Sequence, residues 1–378
     1  MDQPNAIHQF IRRQDSATTW SRSSGDLNEL RLISQSWQGQ DWRHRLLLIR
    51  PAELIHSDTC LLEITGDDAG APDLELGRAL AESSGMLVAI LFDVPNQPIE
   101  GRIEDDLIAH TFEQFLASGD PEDILLFPMT KSVFAALDAI QASECQIRNF
   151  VLTGASKRGW TTWLAGLAGD PRIIGIAPRV FDNLSFAAQL EKQVRDWGGY
   201  SPEIVDYTGR GLQDFVQVNG GEALISLVDP FARIAELRVP VLIVSGSNDA
   251  YWTVDAINVF WDDIPTAKSL LIVPNVGHHL GDHAKWVPTI GAFARAVSAG
   301  ESLPELGVAA SASRRVTRQY WSAWSADLNF SFARFEPDRA GDPDGGYHAT
   351  FTEALIEDKF GTYRVTSLVT VEPQSSSS

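Results

Sequence analysis

The chain has 378 residues, 44% of them hydrophobic and 21% charged, and its 50 Asp and Glu against 30 Lys and Arg give a formal charge of −20. That composition supports a sizeable core and excludes wholesale disorder. The charge repels nucleic acid and anionic lipid at long range, so neither is an expected partner, and no run approaches the roughly 18 consecutive apolar residues of a membrane span.

Met1 to Ser24 is polar and lacks the apolar run of a signal peptide. As it stands the sequence predicts a cytoplasmic protein; removal of a leader would leave the same start on a secreted or periplasmic one. From residue 44 onward, short apolar or β-branched runs alternate with helical patterns, the signature of parallel βαβ construction. Strands are predicted at Arg45–Arg50, Cys60–Thr65, Met86–Phe92, Asn149–Thr153, Ile173–Val180, Val239–Ser245 and Ser269–Val273. Most lack polar alternation, which predicts burial on both faces.

Helices are predicted at Asp73–Ser84, Asp105–Ser118, Lys131–Ala142, Lys157–Ala168, Val254–Asp262 and His283–Ser298, spaced as crossovers. Asn183 to Asp229 breaks the rhythm and carries Phe186, Trp197, Tyr200, Tyr207 and Phe215; it reads as a helical lid, inserted at about 183–238. Residues 1–300 then form an α/β domain with a mostly parallel sheet. Beyond residue 300 the alternation stops, and strands at Val308–Thr317, Asp327–Phe335, Tyr347–Leu355 and Tyr363–Val371 predict a small β-rich domain over 301–378. Cys60 and Cys145 make no disulfide framework and read as isolated core thiols.

The chemistry centres on NFVLTGASKRGWTTWL, residues 149–164, where an apolar strand runs through Gly154-Ala155-Ser156 straight into a helical pattern. Such an elbow holds a serine Oγ clear of the sheet and aims the amides of the next helix at developing negative charge, with the Lys157 N–H as first oxyanion donor. The usual elbow is G-x-S-x-G; here the second glycine is Gly159, one place late, and Arg158 occupies the crowded position, so its side chain must turn away from the sheet. Ser156 as a plain helix N-cap is the competing reading.

Downstream residues favour the nucleophile. VPVLIVSGSNDAYW ends a buried strand and leads to Asp249, and SLLIVPNVGHHLGDH ends the next and delivers His278 behind Gly277. Ser, Asp and His in that order, on loops after successive strands, is the arrangement of α/β-hydrolases: His278 takes the serine proton and Asp249 orients and stabilises the imidazolium. His279 is the rival base. Asp282 and His283 beside the two histidines resemble a metal cluster, but adjacent histidines seldom converge on one ion without an i, i+4 pair, and no metal is expected. The second oxyanion donor is sought in FDVPNQP, at Asn96 or Gln97, against the reading of a proline-rigidified turn. Trp160, Tyr251 and Trp252 follow these elements directly and are candidates either for a substrate pocket or for core.

GASKRGW (154–160), with SQSWQGQDWRH (34–44), VPNQP (94–98), VDPF (228–231), GSNDAYW and VPNVGHHL, resembles the PhoPQ-activated pathogenicity-related proteins. The resemblance implies an α/β-hydrolase fold and the same three residues, and an export signal that this sequence lacks; NLSF at 183–186 also departs from the D-x-L-N-like stretch of relatives. The basic residue after the serine is more loosely similar to glucuronoyl esterases, so the Lys157 ammonium either favours a carboxylate-bearing substrate or is a solvated first-turn lysine. The expected activity is a serine hydrolase needing no cofactor, acting on a small-molecule or peptide substrate, an esterase before a peptidase. The alternative is a non-catalytic secreted signalling or binding protein on a hydrolase scaffold. Nothing in the sequence fixes the oligomeric state.

Overall fold

The computed structural model describes residues 6–25, 28–66, 70–306, 315–337 and 346–373. The chain runs through α1 (Ala6–Arg12), β1 (Thr19–Arg22), β2 (Glu29–Trp37), β3 (Gln40–Ile49), β4 (His56–Ile64), α2 (Ala71–Ser84), β5 (Met86–Leu91), α3 (Glu104–Ser118), α4 (Leu126–Ser143), β6 (Asn149–Ala155), α5 (Lys157–Leu167) and β7 (Ile173–Arg179). An inserted segment carries α6 (Phe186–Trp197), α7 (Val205–Thr208) and α8 (Gly221–Val228), after which β8 (Val241–Gly246), β9 (Lys268–Val273) and α9 (Val287–Ser298) complete the larger layer. The last strands are β10 (Arg315–Ser325), β11 (Glu336–Pro337), β12 (Tyr347–Asp358), β13 (Gly361–Thr366) and β14 (Thr370–Pro373).

Nine strands make one sheet in the order β1-β2-β3-β5-β4-β6-β7-β8-β9. β1, β2, β3 and β5 pair antiparallel in turn, and every pairing from β5 to β9 is parallel. The absence of polar alternation in the sequence has its cause here. On β4, Leu61 faces one core cluster while Cys60, Leu62 and Ile64 face the other, and β6 divides Val151 from Phe150 and Leu152 in the same way. Each such fully buried aliphatic side chain contributes about 1.5–3 kcal/mol, and together they fix the register on which the loops at the strand ends depend.

The small antiparallel sheet, β11-β10-β12-β13 with β14 on β12, is distinct in pairing but not in core. Ala323, Phe330, Phe335, Ala349 and Phe351 join the larger of the two clusters, and the Ile272 amide donates to Thr366 Oγ1 at 2.9 Å.

Several expectations need correction. Val254–Asp262 is two 3₁₀ turns, Ala256–Val259 and Trp261–Asp263, because Phe260 leaves the helical region at φ −132° with its ring packed edge-on to Trp163. Asp327–Phe335 is an irregular loop: Asn248 Nδ2 donates to the carbonyls of Phe330 and Ala333 at 2.9 and 2.7 Å, and the Phe335 amide donates to Asn275 Oδ1 at 2.8 Å, so side chains replace a partner strand. The strand expected at Val308–Thr317 begins at Arg315 and runs on to Ser325; its first part, residues 308–314, lies outside the described residues. β1 and β2, before residue 44, are not among the predicted strands. Cys60 is buried, but Cys145 is exposed and not a core thiol. Among the described residues no helix is long and apolar enough to cross a membrane.

Candidate active site

β6 ends at Ala155 and α5 begins at Lys157, so Ser156 makes the whole turn by itself, at φ 55°, ψ −124°. For a residue with a Cβ this region costs about 1–3 kcal/mol and persists only when its surroundings enforce it. They do: the Ser156 amide donates to the Arg179 carbonyl at 2.9 Å, and its own carbonyl accepts from Trp160 N at 2.9 Å.

The glycines explain the irregular elbow. A Cβ on Gly154 would lie 2.7 Å from the Arg158 carbonyl oxygen, and one on Gly159 would lie 2.8 Å from that of Arg179. Gly159 thus gives α5 its close approach to β7. Arg158 does turn away from the sheet, as its position requires. Its Nε donates to the Val94 carbonyl at 2.5 Å and its two terminal nitrogens fork onto Glu104 at 2.7 Å each. The guanidinium lies where a side chain on residue 66 would sit, which Gly66 leaves vacant. Burial pushes the Glu104 carboxyl upward, but the bond and charge of Arg158, with Lys157 and Gln97, overcome it and bring it to about 2.

Opposite the elbow, His278 Nδ1 lies 2.7 Å from Asp249 Oδ2 and Nε2 lies 2.9 Å from Ser156 Oγ. A carboxylate only accepts, so Nδ1 carries the proton; in the neutral ring Nε2 is then the acceptor for the serine hydroxyl. The second Asp249 oxygen accepts the Tyr251 amide at 3.0 Å. The Tyr251 ring stacks on the imidazole, centroids 4.1 Å apart at 28°, which fixes the imidazole plane. His279 is exposed and stands edge-on to His278. Asp182, on the loop after β7, is buried beside this relay. Burial first, then the Asp249 carboxylate, raises its pKa above the ordinary 3.8, against a 2.6 Å bond from Ser245 Oγ.

A cavity of about 90 Å³ opens on Ser156. Trp160, Tyr251 and Trp252 line it, with Phe112, Phe181, Phe186 and Tyr207. Trp160 also belongs to the core: it is 5% exposed, stacks on Phe181 at 5.1 Å and donates from Nε1 to the Val228 carbonyl at 2.6 Å. Lys157 Nζ reaches Asp105 at 2.8 Å and Glu104 at 3.2 Å. It is therefore neither solvated nor an uncompensated cation. Tyr207 Oη donates to the other Asp105 oxygen at 2.9 Å.

The side chains of Asn96 and Gln97 are engaged elsewhere. Asn96 exchanges two hydrogen bonds with the backbone of Arg43, while Gln97 accepts from the Glu104 amide and donates from Nε2 to the Glu104 carboxylate. Sequence reasoning missed Asp105, Asn183 and Asp182 at the site. Asp182 and Asn183 carried a readable signal, standing directly after a strand that ends at the sheet's C-terminal edge; Asp105, in a helix N-terminus, carried none.

With this geometry in view, a profile of the PhoPQ-activated pathogenicity-related protein family matches residues 8–323. The chain belongs to that family. The matched region includes Ser156, Asp249 and His278 and ends within β10. Autocrine proliferation repressor protein A of Dictyostelium discoideum is 35% identical over 277 residues, 67% of this chain and 56% of that relative, so the chain spans little more than half of its length. Among solved structures, acetyl xylan esterase 1 from Thermoanaerobacterium sp. is similar with a TM-score of 0.53 at 14% identity, covering 76% of this chain and 92% of that one. An acetyl xylan esterase from Paenibacillus sp. R4 gives 0.51 at 14% identity, covering 73% and 87%. At such identities these likenesses establish the fold, that of α/β-hydrolases, for this member of the family.

Proposed function

We propose that this chain is a serine hydrolase that cleaves carboxylic esters through an acyl-Ser156 intermediate. The observation that carries the reading is the unbroken relay from Asp249 through His278 to Ser156, with bonds of 2.7 and 2.9 Å, on an elbow held in a strained conformation. Ser156 Oγ attacks the ester carbonyl carbon while His278 Nε2 takes its proton; the resulting oxyanion faces the Lys157 N–H at the start of α5. The tetrahedral adduct collapses, the C–O bond to the alcohol breaks, and the imidazolium returns the proton to that oxygen. Water then repeats the sequence on the acyl-serine and releases the carboxylic acid.

An ester is favoured over a peptide with a free amino terminus because the carboxylate lining the cavity, Asp105, already accepts from Lys157 and Tyr207. A substrate ammonium would have to displace one of them. A second reading, a signalling protein that has kept only the scaffold, draws on the name of the Dictyostelium relative. A fluorophosphonate probe separates the two: labelling of wild type that disappears in Ser156→Ala, with p-nitrophenyl ester hydrolysis lost in parallel, is expected. Folded protein that takes no label and hydrolyses no ester would refute the enzyme.

A further inference from the structure

The cavity above Ser156 is walled mostly by aromatic and aliphatic side chains, and two of its lining residues, Asn183 and Gln213, carry a buried amide oxygen without a hydrogen-bond partner among the described residues. Asn183 is 6% exposed, its amide oxygen is buried without a partner, and its side chain makes no hydrogen bond to any described residue. Gln213, from the inserted segment, also has a buried amide oxygen with no partner among the described residues; its Nε2 donates to the neighbouring Asp214 at 3.2 Å. Both residues line the same cavity as Ser156 and His278.

A buried polar atom left unpaired is costly, and most native examples are satisfied by protein, water or ligand. Asn183 is also held on a fixed backbone. Asp182 before it is tied to Ser245, and just after it the amides of Ser185 and Phe186 donate to Asp229 at 3.2 and 2.8 Å. The main chain therefore does not move to relieve the amide, and only the soft terminal torsion of the side chain remains free. Such an amide, beside Trp160, Phe181 and Phe186, matches a ligand with an apolar body and one or two hydrogen-bond donors.

Resting on the reading of Ser156 as nucleophile, we propose that the substrate is an ester carrying, besides its scissile bond, a hydroxyl or amide N–H that Asn183 accepts, with Gln213 as a second acceptor. Asn183 is then a specificity-determining residue. A site that hydrogen-bonds a substrate donor discriminates strongly against the analogue lacking it, because its own polar atoms are then stranded.

The test uses the full chain and two ester series, each pairing a donor-bearing compound with its methyl isostere. One varies the acyl group on a p-nitrophenyl leaving group (3-hydroxybutyryl and N-acetylglycyl against their apolar counterparts), and the other varies the alcohol on an acetyl group. Wild type should favour the donor-bearing member by roughly tenfold or more in kcat/KM in one series. Asn183→Leu should lose that preference and gain thermal stability; if it does not fold, Asn183→Ala serves for the same comparison. The series that shows the effect assigns the donor to acyl or alcohol, and the compound assigns it to hydroxyl or amide. Labelled wild type with no preference in either series, or a preference that survives in the Asn183 variant, overturns the proposal. A wild type that takes no label overturns the nucleophile instead.

Discussion

Beneath the elbow lies an ion pair whose loss tests how the strained serine is held. Arg179, at the end of β7, forks onto both oxygens of Glu63 on β4 at 2.6 Å each, with the two side chains only 5% and 4% exposed. The guanidinium also reaches Thr153 Oγ1 at 3.2 Å and lies over the Trp286 ring at 4.8 Å, while the Arg179 carbonyl accepts the Ser156 amide. Removing one partner of a buried pair strands the other charge and costs about 3–5 kcal/mol. Glu63→Gln and Arg179→Met should each lose that much in denaturant unfolding. The double variant should lose much less than the sum, because no charge is then left buried. Fluorophosphonate labelling of Ser156 should slow in the single variants, whose elbow has a looser support. A Glu63→Gln cost under about 1 kcal/mol, or strict additivity in the double variant, would refute the claim that this pair acts as one buried unit.

Asp182 gives a pH dependence. Its raised pKa means that the folded state keeps a proton after the unfolded state has released it, so stability falls as pH rises above 3.8 through the folded value. Asp182→Asn should therefore be more stable than wild type at about pH 8 and indistinguishable from it near about pH 4, read by thermal unfolding across that range. An equal gap at both ends would sink the assignment. At Gly66, a new Cβ would fall within 2.0 Å of the Arg158 guanidinium carbon and 1.5 Å from Nη2. Since Glu104 clamps that group, Gly66→Ala should cost about 1–3 kcal/mol and slow labelling of Ser156; an unchanged melting temperature would show that the Arg158–Glu104 pair yields easily.

The parallel strands were legible because burial on both faces writes an uninterrupted apolar run, a local signal that survives without knowledge of the fold. Reasoning of that kind fails for β2, where Glu29, Ser34 and Gln35 are buried among charge pairs and a polar cluster. Ser34 there meets His44 Nε2 at 2.9 Å, so the strand does not look apolar. It fails again at residues 327–335, whose backbone is satisfied by Asn248 and Asn275 from loops far earlier in the chain.

The same distinction separates the parts of the site. Ser156, Asp249 and His278 each follow a strand that announces itself, so their loops converge once the strand order follows the α/β-hydrolase arrangement. The oxyanion expectation at Asn96 and Gln97 narrows to their backbone amides, since both side chains are held by Arg43 and Glu104. The departure from G-x-S-x-G had a local signature and a non-local cause: Arg158 tolerates the crowded position because Gly66 leaves room for its guanidinium and Glu104 neutralises it. Residues 66, 104 and 158 are therefore one structural choice. Replacing Arg158 by glycine to restore the common elbow would leave Glu104 without its forked partner and residue 66 beside a void, and the common motif would serve this chain worse than its own.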